Sequence, residues 1–160
     1  MSASTPAVAP TIVVYDASAL LAWLLQTANQ WQRVDRLMRR PADGVMSVPA
    51  LTEAIYVARR RGNQATPGQL RAALLGQGLR VEPSSEDDAE WAGAAIAESE
   101  ANPAQWTTTN GPRTGTLSLG DGLTLALAVR LGGHAVTFDG AWFNFPTQTF
   151  PVVNAWRIPL

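Results

Sequence analysis

The chain has 160 residues, 46% of them hydrophobic, a length and composition that let one compact domain bury a core without disulfides or structural metal. It contains no Cys, which excludes thiol catalysis, a Cys-based zinc site and a disulfide framework, and permits a reducing compartment, so the cytoplasm is the expected location. Twelve basic residues, all Arg because the chain has no Lys, stand against thirteen acids for a net charge of −1, which argues against a general polyanion binder held by a basic surplus.

Residues 1–10 carry no Lys or Arg and read as a flexible tail. Asp16 interrupts the apolar stretch that follows, so neither a secretory signal nor a membrane span is expected. Thr11 to Tyr15 is β-branched and apolar, as in a strand buried on both faces of a parallel sheet. Ser18 is placed to cap a helix whose Leu20, Leu21, Leu24 and Leu25 form one apolar stripe. Trp31, Val34, Leu37 and Met38 continue with helical spacing to Arg40, and Pro41 to Gly44 reads as a turn.

Val45 to Val48 is a short strand, and Pro49 suits the first turn of the helix that carries Glu53 and ends at Gly62-Asn63. Thr66-Pro67-Gly68-Gln69 supplies a cap, a first-turn Pro and a capping-box Gln for a helix through Leu75. Leu79 to Glu82 resembles a third strand. Ser85 with Asp88 opens another helix, with Trp91, Ala95 and Ile96 on its inward side.

Ala101 to Leu117 is rich in Asn, Pro, Thr and Gly without a sustained period, and reads as a long loop. Ser118-Leu119-Gly120-Asp121 is a capping box ahead of Leu123, Ala126, Leu127 and Leu131, with Gly132-Gly133 closing that helix. Ala135 to Phe138 is a strand ending at Asp139, and Val152 to Trp156 a last one. There is no internal repeat. The alternation predicts an α/β sandwich, three layers around a mainly parallel sheet of four or five strands, as a single domain over 1–160.

Ligands of open parallel sheets collect beyond the carboxyl ends of the strands, where Asp16 and Asp139 both stand. Each residue alone serves equally well as a helix cap. Asp121 has an evident role as the acidic partner of the Ser118 cap, and Glu53 could be a surface residue of its helix. Were all four to converge, two carboxylates at about 4 Å would repel by roughly 4 kcal/mol at an effective dielectric near 20, and the cluster would need cations. Oxygen donors without Cys select a hard ion such as Mg²⁺ or Mn²⁺. Hydrolysis of a phosphodiester fits that ion, one metal activating a water and a second, about 3.5–4 Å away, neutralising the leaving oxygen.

The motifs also carry a resemblance. Val13-Val14-Tyr15-Asp16-Ala17-Ser18 looks like the opening of PIN-domain toxins of the VapC type, and Ser47-Val48-Pro49-Ala50-Leu51-Thr52-Glu53-Ala54 is similar to that family's second acidic motif. Leu117-Ser118-Leu119-Gly120-Asp121-Gly122-Leu123 resembles the third, and Val136-Thr137-Phe138-Asp139 with Ala141-Trp142 the fourth, so the likeness spans nearly the whole chain in the family order. It implies a PIN-like fold and an endoribonuclease that cuts single-stranded RNA with a metal-activated water. Asp16, Glu53, Asp121 and Asp139 match the family's catalytic, metal-binding acids for Mg²⁺ or Mn²⁺, while Ser18, Ser118 and Thr137 occupy hydroxyl positions that could orient carboxylates, or could be caps and a strand residue. It further implies a VapB-like antitoxin, whose tail fills the acidic groove, and a homodimer.

The sequence departs from the family pattern at Trp106 to Pro112, which is longer and more polar than usual. Arg59, Arg60, Arg61 and Arg113 are candidates for RNA phosphates, or solvated surface residues. Trp106 and Trp142 could stack on a base, with core packing the plainer role for Trp142. His134 lies away from every acidic motif and reads as structural. Aspartyl-phosphate phosphatases, receiver domains and P-loop hydrolases all need a Lys that this chain lacks. A PIN nuclease of RNA processing outside a toxin–antitoxin pair, or a silent PIN scaffold that binds RNA or protein, remain the alternatives.

Overall fold

The computed structural model describes residues 11–160; the tail expected over 1–10 lies outside the described residues. Seven strands and six helices alternate along them. β1 (Ile12–Tyr15), α1 (Ala17–Leu24) and α2 (Trp31–Met38) are followed by β2 (Asp43–Ser47), α3 (Val48–Arg60), α4 (Pro67–Leu75), β3 (Arg80–Glu82) and α5 (Glu86–Ala101). β4 (Ala104–Thr108), β5 (Gly111–Gly115), α6 (Leu119–Leu131), β6 (His134–Thr137) and β7 (Val152–Asn154) complete the chain, with 3₁₀ turns at Gly140–Phe143 and Ala155–Arg157. Among the described residues no helix is long and apolar enough to cross a membrane.

Five strands form one sheet in the order β3-β2-β1-β6-β7, every neighbouring pair parallel. This is the expected α/β sandwich, at the upper strand count. The apolar runs are continuous because both faces are covered, and successive side chains serve opposite faces. Val13, Tyr15, Met46 and Val136 join one core with Leu20, Val34, Leu51 and Leu74. Their neighbours Val14, Val45 and Ala135 join another with Leu125, Leu127, Trp142, Phe145 and Phe150.

Arg130 locks the second layer together: it holds Asp88 of α5 at 3.0 Å and reaches Glu82 of β3 at 3.5 Å. Asp88 is nearly inaccessible, so the guanidinium is what makes its burial tolerable, and the pair holds its carboxyl below the usual range despite that burial. Arg80 likewise bridges Asp43 and Glu82.

Four expectations need correction. The 101–117 stretch is not a structureless loop; β4 and β5 pair antiparallel from Ala104 opposite Gly115 to Thr108 opposite Gly111. Its Thr-rich composition is β-branched, and Gly111, the first residue of β5, takes the positive φ of +101° that closes the tight turn at Thr109 and Asn110. Ser18 does not cap α1. Asp16 does, accepting from the Ser18 amide, which places Ser18 inside the first turn. The last strand stops at Asn154, whose side chain accepts from the Trp156 amide and starts a 3₁₀ turn. Pro41 to Gly44 also forms a turn only in part, since β2 already begins at Asp43.

Candidate metal centre

Parallel pairing sends the carboxyl ends of β1, β2 and β6 to one edge of the sheet, and each of the four acids hangs from an element that begins or ends there. Asp16 follows β1 directly, and Asp139 lies two residues beyond β6. Glu53 lies within α3, the helix that leaves β2, and Asp121 in the first turn of α6, the helix that returns to β6. A cleft of about 540 Å³ is lined by all four, together with Ser18, Ser118 and Arg61.

The relation of α3 to α6 is fixed from below. Ser47 caps α3 by accepting from the Ala50 amide, and its hydroxyl meets that of Thr124 at 2.8 Å in the interior. A polar pair buried this completely is held by mutual satisfaction. It sets Glu53 beside the first turn of α6, where its Oε2 lies 3.9 Å from the position that a Cβ on Gly120 would take.

Asp16 is held more tightly than any other acid in the cleft. Ser18 and Thr137 both donate their hydroxyls to its Oδ2 at 2.8 Å, and the two hydroxyl oxygens lie 3.2 Å apart. Each hydroxyl oxygen in turn accepts a backbone N–H from β6's exit, Phe138 to Ser18 and Asp139 to Thr137, both at 3.0 Å. One carboxylate thereby ties the ends of two adjacent strands into a single hydrogen-bonded unit. Ser118, by contrast, serves the α6 capping box: its hydroxyl accepts from the Asp121 amide, and Asp121 Oδ2 accepts from the Ser118 amide at 2.9 Å. Asp139 Oδ1 accepts from Ala141 at 2.9 Å and starts the 3₁₀ turn.

Electrostatics record the crowding. Burial raises the Asp16 carboxyl above its ordinary value against the pull of its hydrogen bonds. Asp121 is pushed up to about 7, first by burial, then by the negative charge of Asp16 and, less strongly, of Asp139. Like charges brought together without a counter-ion favour the neutral form, which is what a cation would reverse. Among the described residues, no three such side chains are drawn together closely enough to hold a metal ion as they stand. Each aspartate instead turns an oxygen to a nearby hydroxyl or backbone N–H. The donor set, four carboxylates and nearby hydroxyls with no thiolate or imidazole in the cleft, suits a hard divalent ion.

The remaining candidates divide. Arg61 lines the cleft. Arg59 donates to the Ala65 carbonyl at 2.7 Å, Arg60 stacks over the Tyr56 ring at 5.6 Å, and Arg113 stands exposed on β5, so none of these three lines the acidic cleft. Trp142 is core, as its plainer reading had it, and His134 is exposed at the start of β6. Trp106 packs its indole against Gly140, immediately after Asp139. Thr27 and Gln30, between α1 and α2, also line the cleft. No motif marks them, and only the fold brings that segment over the acids.

An open parallel α/β sandwich whose carboxyl edge gathers four acids from four elements defines the class of architecture. The PIN domain family model matches residues 13–146, and the chain belongs to that family. No curated protein sequence matches it. Solved structures share the fold at low identity. VapC20 of Mycobacterium tuberculosis, described as a sarcin-ricin loop cleaving toxin, superposes with a TM-score of 0.63 at 21% identity, over 80% of this chain and 90% of that one. VapBC2 from Rickettsia felis, bound to a promoter DNA fragment, gives 0.64 at 13% identity over 90% and 98%. FitAcB from Neisseria gonorrhoeae gives 0.61 at 17% identity over 91% and 99%.

Proposed function

We propose that this chain is an endoribonuclease dependent on Mg²⁺ or Mn²⁺, the toxin of a toxin–antitoxin pair. The observation that carries the reading is the convergence of Asp16, Glu53, Asp121 and Asp139 on one cleft, with Asp121 raised to about 7 by burial and by its acidic neighbours. The family supports a nuclease, and the VapC, VapBC and Fit proteins that share the fold support the toxin assignment. By the same likeness a VapB-like antitoxin and a second copy of the chain are its expected partners, the cytoplasm its place of action, and a single PIN domain the unit that these residues form.

Asp16, Glu53, Asp121 and Asp139 would hold the cation. When bound, it supplies charge neutralisation and Lewis-acid activation for attack on a phosphodiester. The chain's own contribution is positional. Ser18 and Thr137 both hold Oδ2 of Asp16, so the most deeply buried acid of the cleft is also the most firmly oriented. Ser118 and the first turn of α6 hold Asp121 with one oxygen committed to the backbone and the other available. Arg61, at the rim, supplies a positive charge for an approaching phosphate.

The test is a panel of defined transfer, ribosomal and messenger RNAs incubated with purified protein and Mg²⁺, and with its Asp16→Asn variant. Cleavage that needs Mg²⁺ and falls by at least about a hundredfold in the variant, with the fold intact by circular dichroism, supports the reading. Intact RNA with wild-type protein, despite tight RNA binding, would favour the silent scaffold. An adjacent gene for a DNA-binding antitoxin separates the toxin from a processing nuclease.

A further inference from the structure

A second cleft, of about 600 Å³, opens along the same carboxyl edge of the sheet where the acidic cleft ends. Phe138 lines both, and Asp139 of the first is followed directly by Gly140 of the second. Its walls are aromatic: Trp106, Phe138, Phe143 and Trp156. Trp156 and Phe143 keep 47% and 37% of their surface in solvent.

These rings are set in place. Phe138 and Trp156 meet edge to face, with centroids 5.0 Å apart at 73°. Trp106 lies so close to Gly140 that a Cβ there would stand 2.6 Å from its Nε1. Polar groups border the aromatic floor. Asn154 spends its Oδ1 on the Trp156 amide, and among the described residues its Nδ2 has no hydrogen-bond acceptor. Arg157 forms no ion pair among them either, whereas Arg39, Arg80 and Arg130 all do.

We propose that this cleft is the base-binding subsite of the enzyme: it holds one unpaired base of a single-stranded RNA, stacked on Trp156 and Phe143, while Arg157 takes a neighbouring phosphate. The inference rests on the ribonuclease reading above and adds to it the place where a base of the RNA is held. Three features favour a nucleotide over a protein side chain. The cleft shares Phe138 with the acidic one and begins at Gly140, next to Asp139, so a strand seated in it lies beside the acids. Its volume suits a single small-molecule unit. An acidic site with Arg61 as the cation in its lining repels a polyanion, and stacking supplies affinity that charge does not. A base presents two π-faces and a polar edge, which rigid aromatic faces and a free amide N–H match.

The experiment uses the full chain in the Asp16→Asn background, which prevents turnover, with fluorescein-labelled mixed-sequence single strands of about eight nucleotides. Trp156→Ala should weaken binding by about tenfold, Trp156→Phe by no more than about twofold, and an abasic strand of the same length should bind all three proteins alike. In the cutting-competent protein, Trp156→Ala should raise KM and leave kcat unchanged. Phe143→Ala repeats the test should Trp156→Ala fail to fold. Unchanged binding by Trp156→Ala overturns the proposal, as does an equal loss for the abasic strand, which marks a merely structural role. Loss of association with an antitoxin encoded next door, with RNA binding untouched, assigns the cleft to a protein partner instead. Wild-type protein that cuts RNA while Trp156→Ala keeps its KM sinks the subsite alone; wild-type protein that cuts no RNA sinks the ribonuclease reading with it.

Discussion

Asp121 holds its proton to about pH 7 in the folded chain, against an ordinary value of 3.8, because its burial and its acidic neighbours penalise the charge. A carboxyl raised in this way stabilises the fold fully below its unfolded value, and that contribution is lost as pH rises through its folded value. The window is therefore about 4 to 7, and its full extent corresponds to at most about 4 kcal/mol. In chelator-treated protein, urea denaturation should show wild type losing stability relative to Asp121→Asn between pH 5 and pH 8.5, with Mg²⁺ at pH 8.5 restoring wild type alone. Parallel pH profiles for the two would contradict the assignment. Asp88 shifts the other way and is common to both proteins, so it cancels in the comparison. Asp16 and Asp139 were legible from their strand-end positions, since a sheet edge is readable from where apolar runs stop. Glu53 was not legible from spacing alone. Its position over the cleft depends on the Ser47–Thr124 contact between elements 77 residues apart, which no local pattern encodes.

At the scale of elements, capping chemistry read correctly wherever the cap is local: Thr66 with Gln69, Ser85 with Asp88, and Ser118 with Asp121 all form reciprocal boxes. Ser18 looks like a local cap in the sequence, but its hydroxyl donates to Asp16 and accepts from the Phe138 amide, 120 residues away at the exit of β6, a tertiary role that no local pattern encodes. The β4–β5 hairpin was hidden by composition. Its strands pair only with each other and expose most of their side chains, so the apolar alternation that marks a half-buried strand is absent. Asn110-Gly111 between Thr-rich flanks was the available signal. Trp106 is the hairpin's anchor, and Gly140 is the residue that lets it dock. Gly140→Ala should therefore cost about 1–3 kcal/mol by overpacking, and should speed hydrogen exchange over 104–115 more than in the parallel sheet. Unchanged stability with uniform exchange would detach the hairpin from the Asp139 turn.

Across the whole molecule, the even balance of Arg and acid conceals an unequal division of labour. Arg39, Arg80 and Arg130 are engaged in ion pairs that hold the layers, and Arg33 bonds backbone carbonyls, while Arg61 and Arg157 border the two clefts of the carboxyl edge. The same edge gathers the acids, so the fold concentrates negative charge where a polyanion is expected to react, a placement that makes sense with a cation between them. Direct titration of chelator-stripped protein with Mn²⁺, by calorimetry or by loss of the free-ion EPR signal, tests this. Wild type should bind, and Glu53→Gln and Asp139→Asn should each weaken binding by at least about tenfold while folding normally. Wild-type protein that takes up no Mn²⁺, or uptake that both substitutions leave untouched, would contradict a shared metal site built from these four carboxylates.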